Sequence, residues 1–324
     1  MPDSLELVKQ WLRAGDGGLL GSQGAVLGVD IGSYGLRAIV ADLHGLQVHG
    51  AGRSLPDGNA ETITEAGIAL VRELLESSGT QARRLLRVGI GFGGPVDADA
   101  GLTRIHHRRP GWEGFPLAER FEAAFDTQAL IDNDANVIAL GEACCVSGRD
   151  VHDLFYLHLS TGVGGGMVLD GRLYNGGATT AGEIGHAIVR ADGAPCSCGR
   201  RGHLEAYVSV GALLRRLGEL GLETNDINAI FGDGQAARQT VSEATELLGI
   251  TLANVVAMID PQMIVVGGIV ARIGGEQWLA TLGQKLQELL PPTLAHGVEV
   301  VPSTFNHESV AVGALALAFN SLQE

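Results

Sequence analysis

The sequence predicts an α/β protein built as two domains, and three observations lead there. At 324 residues the chain exceeds the size at which one hydrophobic core keeps growing, so two packed units are expected. Segments of strand character alternate with amphipathic helical segments, the order that α/β folds require. The chain also opens twice in the same manner, with a strand, a glycine turn and two further strands. That echo points to a duplicated architecture whose two glycine turns would face each other across a cleft.

Taken in order, MPDSLELVKQWLRAG spaces Leu5, Val8 and Trp11 along one face of a short helix. After the glycine-rich GDGGLLGSQG, VLGVDIG reads as a buried strand, with LRAIVADL and LQVHGAG as the next strands of a meander. ETITEAGIALVRELLESSG is an amphipathic helix stopped at Gly79, and LLRVGIGFGGPVD is a strand running into a Gly and Pro turn. QALIDNDANVIALGEACCV is a short strand that breaks at Asn133 and Asp134 into a helix. The second opening, FYLHLSTGVGGGMVLDGRLYNGG, is strand, glycine turn, strand, Asp170-Gly171 hairpin, strand. Later come the helix VSEATELLGITLANVVAMI, the strand and glycine turn MIVVGGIVARIGG, and a small-residue helix in ESVAVGALALAF that packs back on the first domain. The expected division is an N-terminal extension over 1–25, a first domain over 26–133 joined by the helix of 307–324, and a second domain over 134–306.

Composition narrows the function. Acidic residues outnumber basic ones, 37 to 22, and the resulting charge of -15 opposes binding to nucleic acid or to anionic membranes, both of which need Lys and Arg against phosphates. The first residues lack the apolar core of a signal peptide, and no stretch approaches about 20 uninterrupted apolar residues, so a cytoplasmic location without membrane contact is expected. Cysteine use is unlike a secreted disulfide framework: Cys144 and Cys145 suit a core, and the close pair Cys196 and Cys198 suits a metal.

The glycine motifs have competing readings. GIGFGG, with Gly89, Gly91 and Gly94, has dinucleotide-fingerprint spacing, but Pro95, Val96 and Asp97 follow where a helix would be needed. No P-loop sequence occurs, so a nucleotide must be held otherwise. STGVGGGMV offers Thr161 as a hydroxyl donor and Gly162, Gly164 and Gly165 as backbone N–H groups able to converge on phosphate oxygens, or else it is simply a tight hairpin. Asp134 likewise reads two ways, as a cap on the helix it opens or as a base for an attacking hydroxyl, and a helix N-terminus would hold its carboxylate ionised. His106, His107, Arg108 and Arg109 read as a solvated loop before Pro110.

The most specific signal is AGEIGHAIVRADGAPCSCGRRGHLEAY. His186, Cys196, Cys198 and His203 supply four borderline or soft donors within a short span, and Gly199 and Gly202 allow a tight knuckle. Four protein donors leave no open position, so a zinc ion there would be structural and would shape Glu183 and Glu205 into a pair suited to sugar hydroxyls.

Together these residues resemble the ROK family, which joins bacterial sugar kinases such as glucokinase to sugar-responsive repressors. The resemblance runs from about Val26 to the end and is densest from Thr161 to Glu205. It implies a two-domain actin/hexokinase-like (ribonuclease H-like) fold with a ligand cleft between the domains, and an assembly of two or four copies. Residues matching Asp134 act as catalytic base, and those matching Asn133, Glu183, His186 and Glu205 contact the sugar. Gly267 and Gly268 match the place where adenosine is held. Two departures stand out. The family's knuckle has three cysteines after the histidine, whereas the third is His203 here, so a Cys2His2 zinc site is expected. The first phosphate turn reads Asp30, Gly32, Ser33, Tyr34 and Gly35 where kinases carry DxGGT. The implied activity is hexose phosphorylation by ATP with magnesium near Asp30, the nucleotide lying on Gly32, Ser33 and the later glycines. The rival is a sugar sensor without a DNA-binding head.

Overall fold

Five strands pair into the first sheet of the chain, seen in a computed structural model that describes residues 3–14, 24–32, 35–104, 109–145, 151–294, 297–305 and 307–323. They are β1 (Gly24–Ile31), β2 (Leu36–Asp42), β3 (Gln47–Arg53), β4 (Arg84–Phe92) and β7 (Ala129–Asn133), in the order β3-β2-β1-β4-β7. The first three run antiparallel, while β4 and β7 add parallel strands. β1 is buried at every residue, as a central strand covered on both faces must be. On one face lie α2 (Ala60–Ser77) and α3 (Leu117–Phe125), with Ile63, Leu70, Val71, Leu74 and Phe121 in the core. A short ribbon of β5 (Val96–Asp97) and β6 (Leu102–Thr103) stands beside them.

The other face is covered by α9 (Ser309–Asn320), and glycines set how closely it approaches. Gly28 and Gly89 are opposite each other in the β1–β4 register. A Cβ on Gly28 would lie 2.8 Å from Leu315 Cα, and one on Gly89 would lie 2.8 Å from the Ala314 carbonyl carbon. The helix backbone therefore rests directly on the strands. Behind it, α4 (Asp134–Cys145) crosses α9 at Gly141 and Gly313, with Cys145 buried in that layer. Glu142, fully buried on α4, accepts the Thr304 N–H at 2.9 Å and fixes the chain leading into α9.

The second sheet repeats the first. Its strands are β8 (Leu154–Leu159), β9 (Val163–Leu169), β10 (Arg172–Leu173), β11 (Met263–Gly267) and β12 (Glu299–Pro302), in the order β10-β9-β8-β11-β12. The senses match too: β8 and β9 antiparallel, β11 parallel to both β8 and β12. Its core gathers Phe155, Leu157 and Leu159 with residues of α5 (Glu205–Val208), α6 (Val210–Glu219), α7 (Gln235–Ile259) and α8 (Ile269–Leu289). By length and composition α7 could cross a membrane, but half of its apolar window is buried in this core.

By contacts the chain divides into Met1–Asp150 with Leu173–Ala181 and Thr304–Glu324, and Val151–Arg172 with Gly182–Ser303. This differs from the sequence-based division at both ends of the first domain. α4 belongs to the first unit, because its apolar residues meet α9. Within the expected N-terminal extension, α1 (Ser4–Ala14) does not stand apart either: it buries Leu7, Val8 and Leu12 in the first unit, with Trp11 edge-on to Phe319 at 5.1 Å.

Candidate active site and metal centre

The metal segment folds as a tight loop in the second unit. Val189 and Arg190 N–H groups donate to Gly202 O, Gly202 N–H donates to Ala194 O, and Cys196 N–H donates to Arg200 O at 2.8 Å. Gly199 and Gly202 have φ of 85° and 76°, a region that side chains avoid, so both turns need glycine. The pairing of Ile188 with His203 brings the two histidines together. The donor atoms of His186, Cys196, Cys198 and His203 all lie within 4.8 Å of one another.

Donor separations test whether an ion fits. With about 2.3 Å to sulfur and about 2.0–2.1 Å to nitrogen, tetrahedral angles separate two ring nitrogens by roughly 3.3 Å and a sulfur from a nitrogen by roughly 3.6 Å. His186 Nδ1 and His203 Nδ1 are 3.3 Å apart, and the sulfur-to-nitrogen distances are 3.2 Å for Cys198 to His203 and 3.9 Å for Cys196 to His186. The donor set fits zinc. His186 thereby presents Nδ1 to the cluster while Nε2 lies 4.0 Å from Glu183 Oε2.

Glu205 opens α5 beside this loop. One oxygen accepts the Ser197 hydroxyl at 2.7 Å and the other accepts the Val163 N–H at 3.1 Å. A carboxylate has about four lone-pair sites, so acceptor capacity remains for a ligand.

In the first unit, β7 delivers three polar residues in succession. Asp132 is buried and accepts from Asn133 N–H at 2.7 Å, Asn136 Nδ2 at 2.8 Å and Asn175 Nδ2 at 2.7 Å. Asn133 accepts the Ala135 N–H on its side-chain oxygen and donates its amide to Gly94 O, which makes it a cap on α4 and a brace for the turn after β4. Asp134 Oδ1 also takes the Ala135 N–H, at 2.8 Å. The sequence expects the helix terminus to hold this carboxylate ionised. Desolvation outweighs that effect and raises its pKa to about 6. Asp30, at the end of β1, is raised to about 7, first by burial and further by the charge of Asp134, against the pull of Arg37 at 3.3 Å. Its Oδ1 is buried without a partner among the described residues.

The candidate nucleotide residues divide. A Cβ on Gly32 would sit 2.5 Å from Asp30 Oδ1, so the Asp30 carboxylate would have to move for any side chain there, while Ser33 lies outside the described residues, as do His106, His107 and Arg108. Thr161 and Gly162 form the turn between β8 and β9, where Ser160 N–H donates to Gly162 O. Gly164 and Gly165 lie within β9, paired with His158 and Leu157, so they are strand residues and not turn residues. Gly267 ends β11 where a Cβ would overlap the Tyr156 ring, 2.9 Å from Cε2, and Gly268 caps α8 where one would overlap Leu159. Each of these two glycines thus has a packing reason of its own. The Asp132–Asn175 pair escaped the sequence because its members lie 43 positions apart, and Ser197 because no local pattern tells that its hydroxyl reaches Glu205.

Comparison with known proteins identifies the family. A family model described as the ROK family matches residues 26–321. A glucokinase of Halalkalibacterium halodurans is 30% identical over 278 residues, covering 79% of this chain and 83% of that protein. A xylose repressor of Caldicellulosiruptor bescii is 27% identical over 320 residues, covering 92% of this chain and 79% of that one. The crystal structure of a ROK family glucokinase from Streptomyces griseus, in complex with glucose and AMPPNP, matches with a TM-score of 0.73 and 28% identity, covering 92% of this chain and 100% of that one. The repeated sheets are those of the two-domain actin/hexokinase-like fold, and the match across nearly the whole chain makes it a member of the ROK family.

Proposed function

We propose that the protein phosphorylates a hexose with ATP, using Asp134 as general base. The observation that carries this is the pair of desolvated carboxylates, Asp134 at the start of α4 and Asp30 at the end of β1, close enough for one charge to raise the pKa of the other. Above about pH 6 Asp134 is ionised and able to take the proton of a sugar hydroxyl as its oxygen attacks the γ-phosphorus. The new P–O bond forms as the bond to the β-phosphate oxygen breaks, and ADP leaves. Glu183, His186 and Glu205 would bind sugar hydroxyls, with Asn133 helping to place Asp134. Asp30 has the unpartnered buried oxygen that suits a magnesium site, and that ion, when bound with nucleotide, neutralises phosphate charge. Gly32, Ser33, Thr161 and Gly162 would donate to phosphate, with Gly267 and Gly268 beside adenosine. His186, Cys196, Cys198 and His203 would hold zinc, which keeps the loop bearing Glu205 in one shape.

A second reading is favoured by the match to a xylose repressor over 92% of this chain and by the altered Ser33-Tyr34 turn: a sugar-binding regulator with little turnover. ADP release with MgATP and a panel of hexoses and amino sugars separates the two. Turnover that falls by roughly 10²–10⁴-fold in Asp134→Asn supports the kinase. Sugar binding by calorimetry with no ADP above background supports the regulator.

A further inference from the structure

Ser197 stands between two metal donors, so its backbone follows the loop that the metal organises. Its hydroxyl donates to Glu205 Oε1 at 2.7 Å, and Glu205 Oε2 takes the Val163 N–H at 3.1 Å. Val163 is the first residue of β9, directly after the Thr161–Gly162 turn, and a Cβ on Gly162 would lie 3.4 Å from Glu205 Oε2. The carboxylate therefore lies beside that turn and is tied to it by the Val163 N–H. Cys196 Sγ is 3.8 Å from Glu205 Oε1. A metal-bound sulfur has no proton to offer, so with the ion in place Ser197 is the donor that holds this oxygen beside a negatively charged neighbour.

We propose that Ser197 is a positioning residue that couples metal occupancy of the loop to the Thr161–Val163 turn through Glu205. The consequence for nucleotide rests on the kinase reading of that turn; the coupling itself does not. Any such link is reciprocal, so what metal does for the turn, a ligand on the turn does for metal.

The test compares zinc-loaded protein, chelator-treated protein, and zinc-loaded Ser197→Ala and Ser197→Thr. Amide hydrogen exchange at Val163 and MgATP affinity by calorimetry are measured on each, with zinc content by elemental analysis. The expected result is one zinc per chain in both variants, with Val163 protected in the loaded protein and in Ser197→Thr. Its exchange should be about tenfold faster, and MgATP binding roughly 5–10-fold weaker, in the chelated protein and in Ser197→Ala. Val163 protection unchanged in Ser197→Ala, equal effects of Ser197→Ala and Ser197→Thr, or loss of zinc from Ser197→Ala would each overturn the coupling. If MgATP binds none of the four while Val163 follows zinc through Ser197, the coupling stands and the kinase reading falls. If MgATP binds and Val163 ignores Ser197, the opposite holds.

Discussion

Replacing Gly313 by alanine tests how α9 is seated. Gly313 lies at the crossing with α4, where a Cβ on Gly141 would already be 3.0 Å from Gly313 Cα. A methyl group on Gly313 would overlap the Val137 carbonyl and sit 2.9 Å from Ile138 N. Those atoms are backbone, so no side chain can rotate away and α4 and α9 must separate. Overpacking typically costs about 1–3 kcal/mol, and rigid backbone on the receiving side argues for the upper end. Alanine returns about 1 kcal/mol of helix propensity, leaving a net loss of about 2 kcal/mol. At roughly 2–4 °C per kcal/mol, the first unit should melt about 4–8 °C lower. Urea titration followed by tryptophan fluorescence reads the free-energy loss, with Trp11 and Trp112 reporting on the first unit and Trp278 on the second. Gly283→Ala is the control: it is also helical, but its Cβ would meet Val300 at an ordinary 3.7 Å, so a gain of about 0.5–1 kcal/mol is expected. A Gly313→Ala protein as stable as wild type would refute the close-crossing argument.

Three further outcomes are expected. Because the raised pKa of Asp134 must be passed before it can accept a proton, kcat/KM should fall about tenfold per unit as pH drops below about 6, and a rate flat to pH 5 would exclude Asp134 as the base. Asp30 has a folded-state pKa of about 7 against an ordinary 3.8, so the folded state holds its proton more tightly and loses stability as pH rises from about 4 to about 7. Asp30→Asn should then exceed wild type above pH 7 by on the order of 4 kcal/mol, the gap closing near pH 4, as measured by denaturation across pH. Glu142→Ala strands the Thr304 N–H and opens a buried cavity, with an expected loss of about 2–4 kcal/mol by the same titration.

Features carried by neighbouring residues were legible in the sequence. The meander of β1, β2 and β3, the helix α2, and the Asp170-Gly171 turn each depend on periodicity or turn chemistry within a few positions. The donors His186, Cys196, Cys198 and His203 fall within one short span, and they come together. Features that depend on distant partners were not. Gly89 and Gly91 have the spacing of a dinucleotide fingerprint in a context that argues against one, and nothing nearby says what they do instead: Gly89, like Gly28, makes room for the backbone of a helix more than 200 residues away, and Gly91 for Val310 and Val137 side chains. The sequence left α3 unassigned and read the start of α8 only as a glycine turn, although Gly275 merely interrupts that helix with non-helical angles. The upward shift at Asp134 was also hidden, because desolvation is a property of the folded surroundings and capping is a property of the local chain.

The seating of α9 against β1 also orders events during synthesis. The second unit is, apart from Leu173–Ala181, one continuous stretch that can collapse as soon as it leaves the ribosome. The first unit cannot, since Val26 and its neighbours stay uncovered on one face until residues beyond Ser309 have been made. From Asn133, where the last strand of that sheet ends, until α9 is made, the sheet keeps an apolar face open, and the period in which it can stick to the wrong neighbour is set by the ribosome's speed over about 175 codons.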